Sequence, residues 1–385
     1  MKKMNLNIAP ALLSLIAAAA LVACGGGSSA DAPAAPVAPA ADVATLASAT
    51  ASSIGATVIA GASADEEVYN LAADVGDSWQ LVLNNKTNTF VIKVLKSQFG
   101  FTSTAAAAFT RSTTGSFTII TGTGLSVQID GRTKTVGGNV TVGGRATTVA
   151  GSGYVVGDVS KLAGTYFFAG VARNVSNGPN PGSAAGSFIV APNGLDITVC
   201  DGGIVVNGAC ANVAGGSGVR TVALKVAKDT GGLLRIMQGT NDFGVLNVSV
   251  GDRGPVLVID RFGPSDDPSP VLRTGIFFAS KSAKLTGHEF DGNWTCDSRG
   301  GNTRILDVSG TSYSVAGGST PKQGTLMYNK VTNDADVAVD LDGAVIAQNN
   351  SESLNQASLI LPLSSSLAVV LESQDGVMDV CRKNK

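Results

Sequence analysis

The chain of 385 residues is poor in the side chains that do most enzymatic work. It has a single histidine, His288, two tryptophans and five tyrosines, and charged residues make up only 15% of the whole. One histidine excludes a His-rich metal site and argues against most histidine-based catalysis. Lys and Arg number 27 against 29 Asp and Glu, with no long basic run, which excludes the electrostatic footprint of a dedicated nucleic-acid binder. So few large aromatics leave few platforms for stacking sugars. The motifs of common chemistry are missing too. Gly215-Gly216-Ser217-Gly218 is followed by Val219, which breaks a Gly-x-Ser-x-Gly elbow. Gly122-Thr123-Gly124 lacks the third glycine and the following helix of a dinucleotide fingerprint, and neither a Walker A loop nor a His-Glu-x-x-His run is found. These gaps predict a chain that is not an enzyme and carries no cofactor.

What is abundant is glycine, 48 residues of it, together with valine, alanine and threonine, a composition that suits an exported all-β protein. Strand periodicity is explicit at Trp79, Leu81 and Leu83, which alternate with Gln80, Val82 and Asn84. Asn84 to Asn88 then supplies a turn, and Phe90 to Leu95 a return strand. The same grammar recurs to the C-terminus, with Gly251-Asp252-Arg253-Gly254 as a tight hairpin turn. Gly137-Gly138 and Gly143-Gly144 read as loose turns, and Gly263 to Pro270 as a rigid exposed loop. Ala357 to Leu371 is apolar, but Pro362 and Ser364-Ser365-Ser366 interrupt it, so two hairpin strands are expected rather than a membrane span. Gly76-Asp77-Ser78-Trp79, Gly164-Thr165-Tyr166 and Gly292-Asn293-Trp294 each place an aromatic shortly after a glycine and before an alternating segment. A Gly-x-Trp opening resembles the first strand of lipocalin-like barrels, where the indole plugs one end. The expected architecture is therefore two or three small antiparallel barrel or sandwich modules, with segments at 51–156, 157–286 and 287–385.

The N-terminus carries the most specific pattern. Lys2 and Lys3 precede a nearly unbroken apolar run from Ile8 to Ala23, short for a spanning helix and ending in Leu21-Val22-Ala23-Cys24. Those four residues resemble the lipobox of bacterial lipoproteins. The resemblance implies removal of the signal peptide 1–23, lipidation of the Cys24 thiol, and attachment to the membrane through that lipid. Two or three acyl chains, at about 0.8 kcal/mol per buried CH₂, anchor durably where one does not. Gly25 follows the cysteine where an inner-membrane retention signal of enteric bacteria carries Asp, which points to the outer membrane, on either its surface or its periplasmic face. Residues 24–50, rich in Gly, Ser, Ala and Pro, read as a lipidated low-complexity tether with a coil dimension of roughly 25–30 Å. In composition the tether is similar to those of surface-displayed β-barrel lipoproteins.

With Cys24 assigned to lipid, Cys200, Cys210, Cys296 and Cys381 remain, an even set that suggests two disulfides in an exported chain. Three pairings are open; a local Cys200–Cys210 bridge with Cys296–Cys381 is the favoured one. The strongest metal-like cluster is acidic: Asp336, Asp340 and Asp342 fall on one strand face by period two. Ala338 breaks the series and no bidentate Glu stands at EF-hand spacing, so a solvated strand face is expected and no metal is assigned. Asp266 and Asp267 are read similarly. His288-Glu289 invites an acid–base reading, yet it sits in a linker-like stretch and is expected to be a surface or hinge pair. The functional expectation is an outer-membrane-anchored lipoprotein that binds an envelope or extracellular protein or a small ligand, with no nucleic acid involved. The alternatives are a carboxylate-based envelope hydrolase on a β scaffold and a structural envelope lipoprotein without ligand.

Overall fold

The computed structural model describes residues 42–174, 181–201, 203–212, 219–264, 272–298, 303–316, 322–332, 338–372 and 377–384. Three closed, eight-stranded antiparallel barrels follow one another along the chain, as the all-β pattern predicts. The first is built from Glu66–Ala73, Ser78–Asn84, Thr89–Lys96, Ala107–Thr114, Phe117–Gly122, Leu125–Asp130, Thr135–Val142 and Arg145–Ser152. The second uses Gly164–Asn174, Pro181–Val190, Asp196–Asp201, Arg220–Lys228, Leu234–Gln238, Asn241–Gly251, Gly254–Pro264 and Leu272–Lys281. The third uses Gly292–Ser298, Thr303–Ser309, Ser312–Ala316, Lys322–Thr332, Ala338–Asn349, Ser358–Pro362, Leu367–Glu372 and Val377–Lys383. In each barrel every strand pairs with its neighbours in chain order within the barrel, and the first strand closes on the last. A barrel of eight strands has a lumen just wide enough for side chains to fill. In the first barrel Leu71, Trp79, Leu81, Leu83, Ile120 and Val127 fill it, all fully buried.

The alternation seen in the sequence is thus the alternation between lumen and outer wall. Hairpins form where turn chemistry directs them. The Asn84 side chain accepts from the backbone N–H of Lys86 and Thr87, and Gly251 faces Gly254 across the expected two-residue turn. Ala357 to Leu371 forms the expected hairpin, with Leu359 opposite Leu371. Among the described residues no helix is long and apolar enough to cross a membrane.

Two expectations are corrected. Residues 43–50, placed in the tether, and 51–53, placed at the start of the first β module, form the helix Val43–Ser53, capped by the Asp42 carboxylate, which accepts from Ala44 N and Thr45 Oγ1. Alanine is the best helix former, and here it supplies a small face whose Ala51, with Ile54 beyond the helix end, packs into the core of the second barrel. Gly137-Gly138 is no turn but lies inside the strand Thr135–Val142. A Cβ on Gly138, at φ +151°, would stand 2.2 Å from the Ser126 carbonyl oxygen, and one on Gly137 would stand 3.0 Å from Val380 Cγ1 of the third barrel. The glycines serve close approach, not reversal. Gly143 and Gly144, by contrast, do form the next turn, both at positive φ.

The three barrels share a fourth apolar core on their outer walls. Ala72 and Ala150 come from the first, Phe167, Val258 and Phe278 from the second, and Leu361, Leu367, Val369 and Val380 from the third. Polar contacts frame this seam. Ser78 of the first barrel donates to Asp260 of the second, which also accepts from Asn247 Nδ2 at 3.2 Å. Complete burial drives the Asp260 carboxyl well above its ordinary range. The Ser364–Ser366 turn of the third barrel reaches both others: Ser366 Oγ donates to Asp130 at 2.5 Å, and the Ser365 N–H donates to Asp252 at 2.8 Å.

Candidate functional site

The third barrel departs from its neighbours inside. Its first strand turns Trp294 and Cys296 inward and its last turns Asp379, Cys381 and Lys383 inward, in register as Trp294–Lys383, Cys296–Cys381 and Ser298–Asp379. Phe290 and Trp294 stop one end: the indole N–H donates to the Phe290 carbonyl at 2.7 Å, and Lys383 Nζ lies 5.6 Å from the indole centroid. One step along, the Cys296–Cys381 disulfide joins the two closing strands across the lumen wall. Beyond it, away from Trp294, packing is incomplete and a hollow of about 80 Å³ remains.

The hollow is graded in polarity. Leu306, Val315, Ala347, Ile360 and Val370 form apolar walls, while Arg304, Asp379, Asn349 and the Lys322–Glu352 ion pair, at 3.1 Å, bring polar groups to it. Asp379 is the unusual member. It is only 2% exposed, its Oδ2 stands 3.9 Å from Arg304 Nη1, and its Oδ1 is buried with no hydrogen-bond partner. Burial pushes its carboxyl up to about 6, against the pull of Arg304 and with a further push from Asp297. A buried acceptor without a donor costs on the order of 1–3 kcal/mol, so this atom calls for an N–H or O–H to face it. A second, wider hollow of about 390 Å³ lies over the same barrel, lined by Ser309, Ser312, Thr325 and Asn350 among others, but no buried unpartnered side-chain atom faces it among the described residues.

The residues singled out from sequence fall elsewhere or play structural parts. Cys24 and Asp336 lie outside the described residues, as do Asp266 and Asp267. Cys200 bonds to Cys210, tying the hairpin of Gly203–Val206 and Ala209–Asn212 to the strand Asp196–Asp201, and Cys296 bonds to Cys381, the favoured pairing. Asp340 and Asp342 are exposed on either side of the buried Leu341, as period two requires. Asp340 is held below the ordinary carboxylate range by Lys330, whose Nζ donates to it at 2.6 Å. Among the described residues no group of three or more His, Cys, Asp or Glu could hold a metal ion. His288 is well exposed, with Nδ1 2.9 Å from Asp291, while the Glu289 carboxylate accepts from Thr286 N, Thr286 Oγ1, Gly287 N and His288 N. The pair closes a turn and does not form an acid–base dyad.

Sequence reading passed over Asp379 and Arg304. The signal was parity: Asp379 stands two residues before Cys381 and Arg304 two before Leu306, so each shares the lumen face of a residue that the cysteine and apolar patterns already mark. No family model matches the chain, and no curated protein matches it either.

Proposed function

We propose that the chain is a lipid-anchored outer-membrane protein of the binding kind, not an enzyme, in which the third barrel holds a small ligand and the first two barrels and the shared seam keep it rigid. The observation that carries this reading is Asp379: a deeply buried carboxyl with an unpartnered oxygen, beside a hollow in a lumen whose two counterparts are filled with apolar side chains. Binding sites combine apolar walls with a few placed polar groups, and this hollow does so at small scale. The anchor is supported by the lipobox resemblance at Leu21 to Cys24 and by the Gly- and Pro-rich stretch that follows.

The experiment is paired. Ala347→Phe, which fills the hollow, is compared with the unaltered full-length protein in a thermal-shift screen of small polar metabolites. Ligands that stabilise the unaltered protein and not the variant are expected; an identical response from both overturns the binding half. Cys24→Ser is expected to abolish acyl labelling in cells, and labelling that persists overturns the anchor.

A further inference from the structure

The chemistry of the hollow narrows its ligand further. We propose that it takes a small zwitterion, an ammonium and a carboxylate carried on the same or adjacent carbons, with the ammonium on Asp379 and the carboxylate toward Arg304. The inference rests on the reading of the third barrel as the ligand-holding one.

Asp379 Oδ1 is an acceptor with no donor, buried at 2% exposure. An apolar ligand would leave it unpaired and an anion would be repelled, whereas an ammonium supplies up to three N–H groups and an opposite charge. A simple amine is disfavoured in its turn. Arg304 Nη1 lies 3.9 Å from the other oxygen of Asp379, so a bare cation on this carboxyl would sit next to a guanidinium. A ligand that brings its own carboxylate turns that repulsion into attraction and suits the planar fork of arginine. Lys322 is engaged by Glu352 at 3.1 Å and adds no net charge to the site.

Size and wall chemistry set the rest. At about 80 Å³ the hollow holds a handful of heavy atoms. Its walls at Val315, Ala347 and Ile360 accept a methyl, with Tyr313, Asn349 and Ser358 also on the lining, so it is the volume that limits the ligand's side chain. Glycine, alanine and β-alanine fit this description; a long or aromatic amino acid does not. A divalent cation is a poorer match, because no cluster of three acidic or sulfur and imidazole ligands gathers there among the described residues.

The test titrates full-length protein with alanine, ethylamine and propionate, following backbone amide shifts by NMR. Ethylamine and propionate each keep one of alanine's two charges. Alanine is expected to bind at least about tenfold more tightly than either, the effect of one charge-assisted hydrogen bond. Asp379→Asn should weaken alanine by a similar factor, and Arg304→Gln should weaken alanine while leaving ethylamine no weaker. Propionate binding as well as alanine, or alanine binding that ignores Asp379→Asn, overturns the proposal. Should a variant fold poorly, the three-ligand ranking on the unaltered protein decides alone. Ala347→Phe separates this proposal from the reading beneath it. A ligand that lacks an ammonium and is lost in Ala347→Phe sinks the zwitterion but keeps the lumen site; if no small molecule senses Ala347→Phe, the lumen reading itself falls.

Discussion

The chain enters the second barrel through the buried Leu162, turns at Gly164 and buries Tyr166, whose hydroxyl donates to the Leu162 carbonyl at 2.7 Å. It enters the third through the buried Phe290, turns at Gly292 and buries Trp294, whose indole N–H donates to the Phe290 carbonyl at 2.7 Å. Both glycines have positive φ, and in both barrels a lysine near the end of the last strand, Lys281 or Lys383, stands opposite the aromatic. Past this common stopper the two diverge. The second lumen continues with Phe188 stacked on Tyr166 at 5.3 Å and with Ile236, Leu246 and Val248 behind it. The third continues with a disulfide and then Arg304 and Asp379. Closing a barrel therefore needs a plugged end and a continuous ladder. The remaining lumen is free to be filled or to keep polar groups, and among the described residues the third barrel keeps an ionisable pair, Arg304 and Asp379, with a hollow beside it.

The sharpest test of this contrast concerns the cross-links. Cys296 and Cys381 are 85 residues apart, so replacing both with Ala removes a constraint worth about 4–5 kcal/mol in the chain-entropy view. The Cys200–Cys210 pair, 10 residues apart and tying down only a hairpin, should cost about 2–3 kcal/mol. Urea titration of the two double variants measures both; a larger loss from the Cys200–Cys210 pair would mean that the third barrel does not depend on its internal staple.

Next come the stoppers. Trp294→Ala should cost about 3–5 kcal/mol by opening a cavity at the plugged end. Tyr166→Phe keeps the ring and loses only one buried hydrogen bond, for about 1 kcal/mol. Equal losses would break the equivalence drawn between the two entrances, since both changes would then act through something other than the plug.

The last effect is the one specific to the third lumen. Because the Asp379 carboxyl is raised from 3.8 to about 6, the native state binds its proton more tightly than the unfolded chain does. Its contribution is full below about pH 4 and is lost as pH rises through 6, by at most about 3 kcal/mol at 1.36 kcal/mol per unit. Asp260 follows the same sign and remains in the variant. Stability measured from pH 4 to 8 should therefore fall in the unaltered protein and fall less in Asp379→Asn. Parallel curves would show that Asp379 titrates as an ordinary surface acid.

The β architecture was legible because burial on one side of a strand writes itself at period two, as at Trp79-Gln80-Leu81. The cysteine partners were legible because four thiols leave three pairings and one of them is local. Where legibility failed, two demands met on one residue. Gly137 carries the mark of a turn but is selected by a neighbouring barrel's Val380. The serines of 364–366 look like an interruption in an apolar run, yet two of them reach the other barrels. The segment 43–50 read as low complexity because the docking surface of its helix, reached through Ala51 and Ile54, lies some two hundred residues downstream. The opening aromatic misled in the first barrel as well: Trp79 sits in its second strand, and the chain from Phe99 to Phe101 packs over it. Asp379 escaped notice because one acid in a strand is unremarkable until the lumen around it is known.

The seam of apolar side chains between the barrels bears on how such a protein can be cut, exported or recombined. Phe167, Val258 and Phe278 of the middle barrel point outward, so a fragment ending near residue 287 would present a wet hydrophobic wall and invite aggregation. The three lumens are separate, but each barrel's outer wall is covered by the other two.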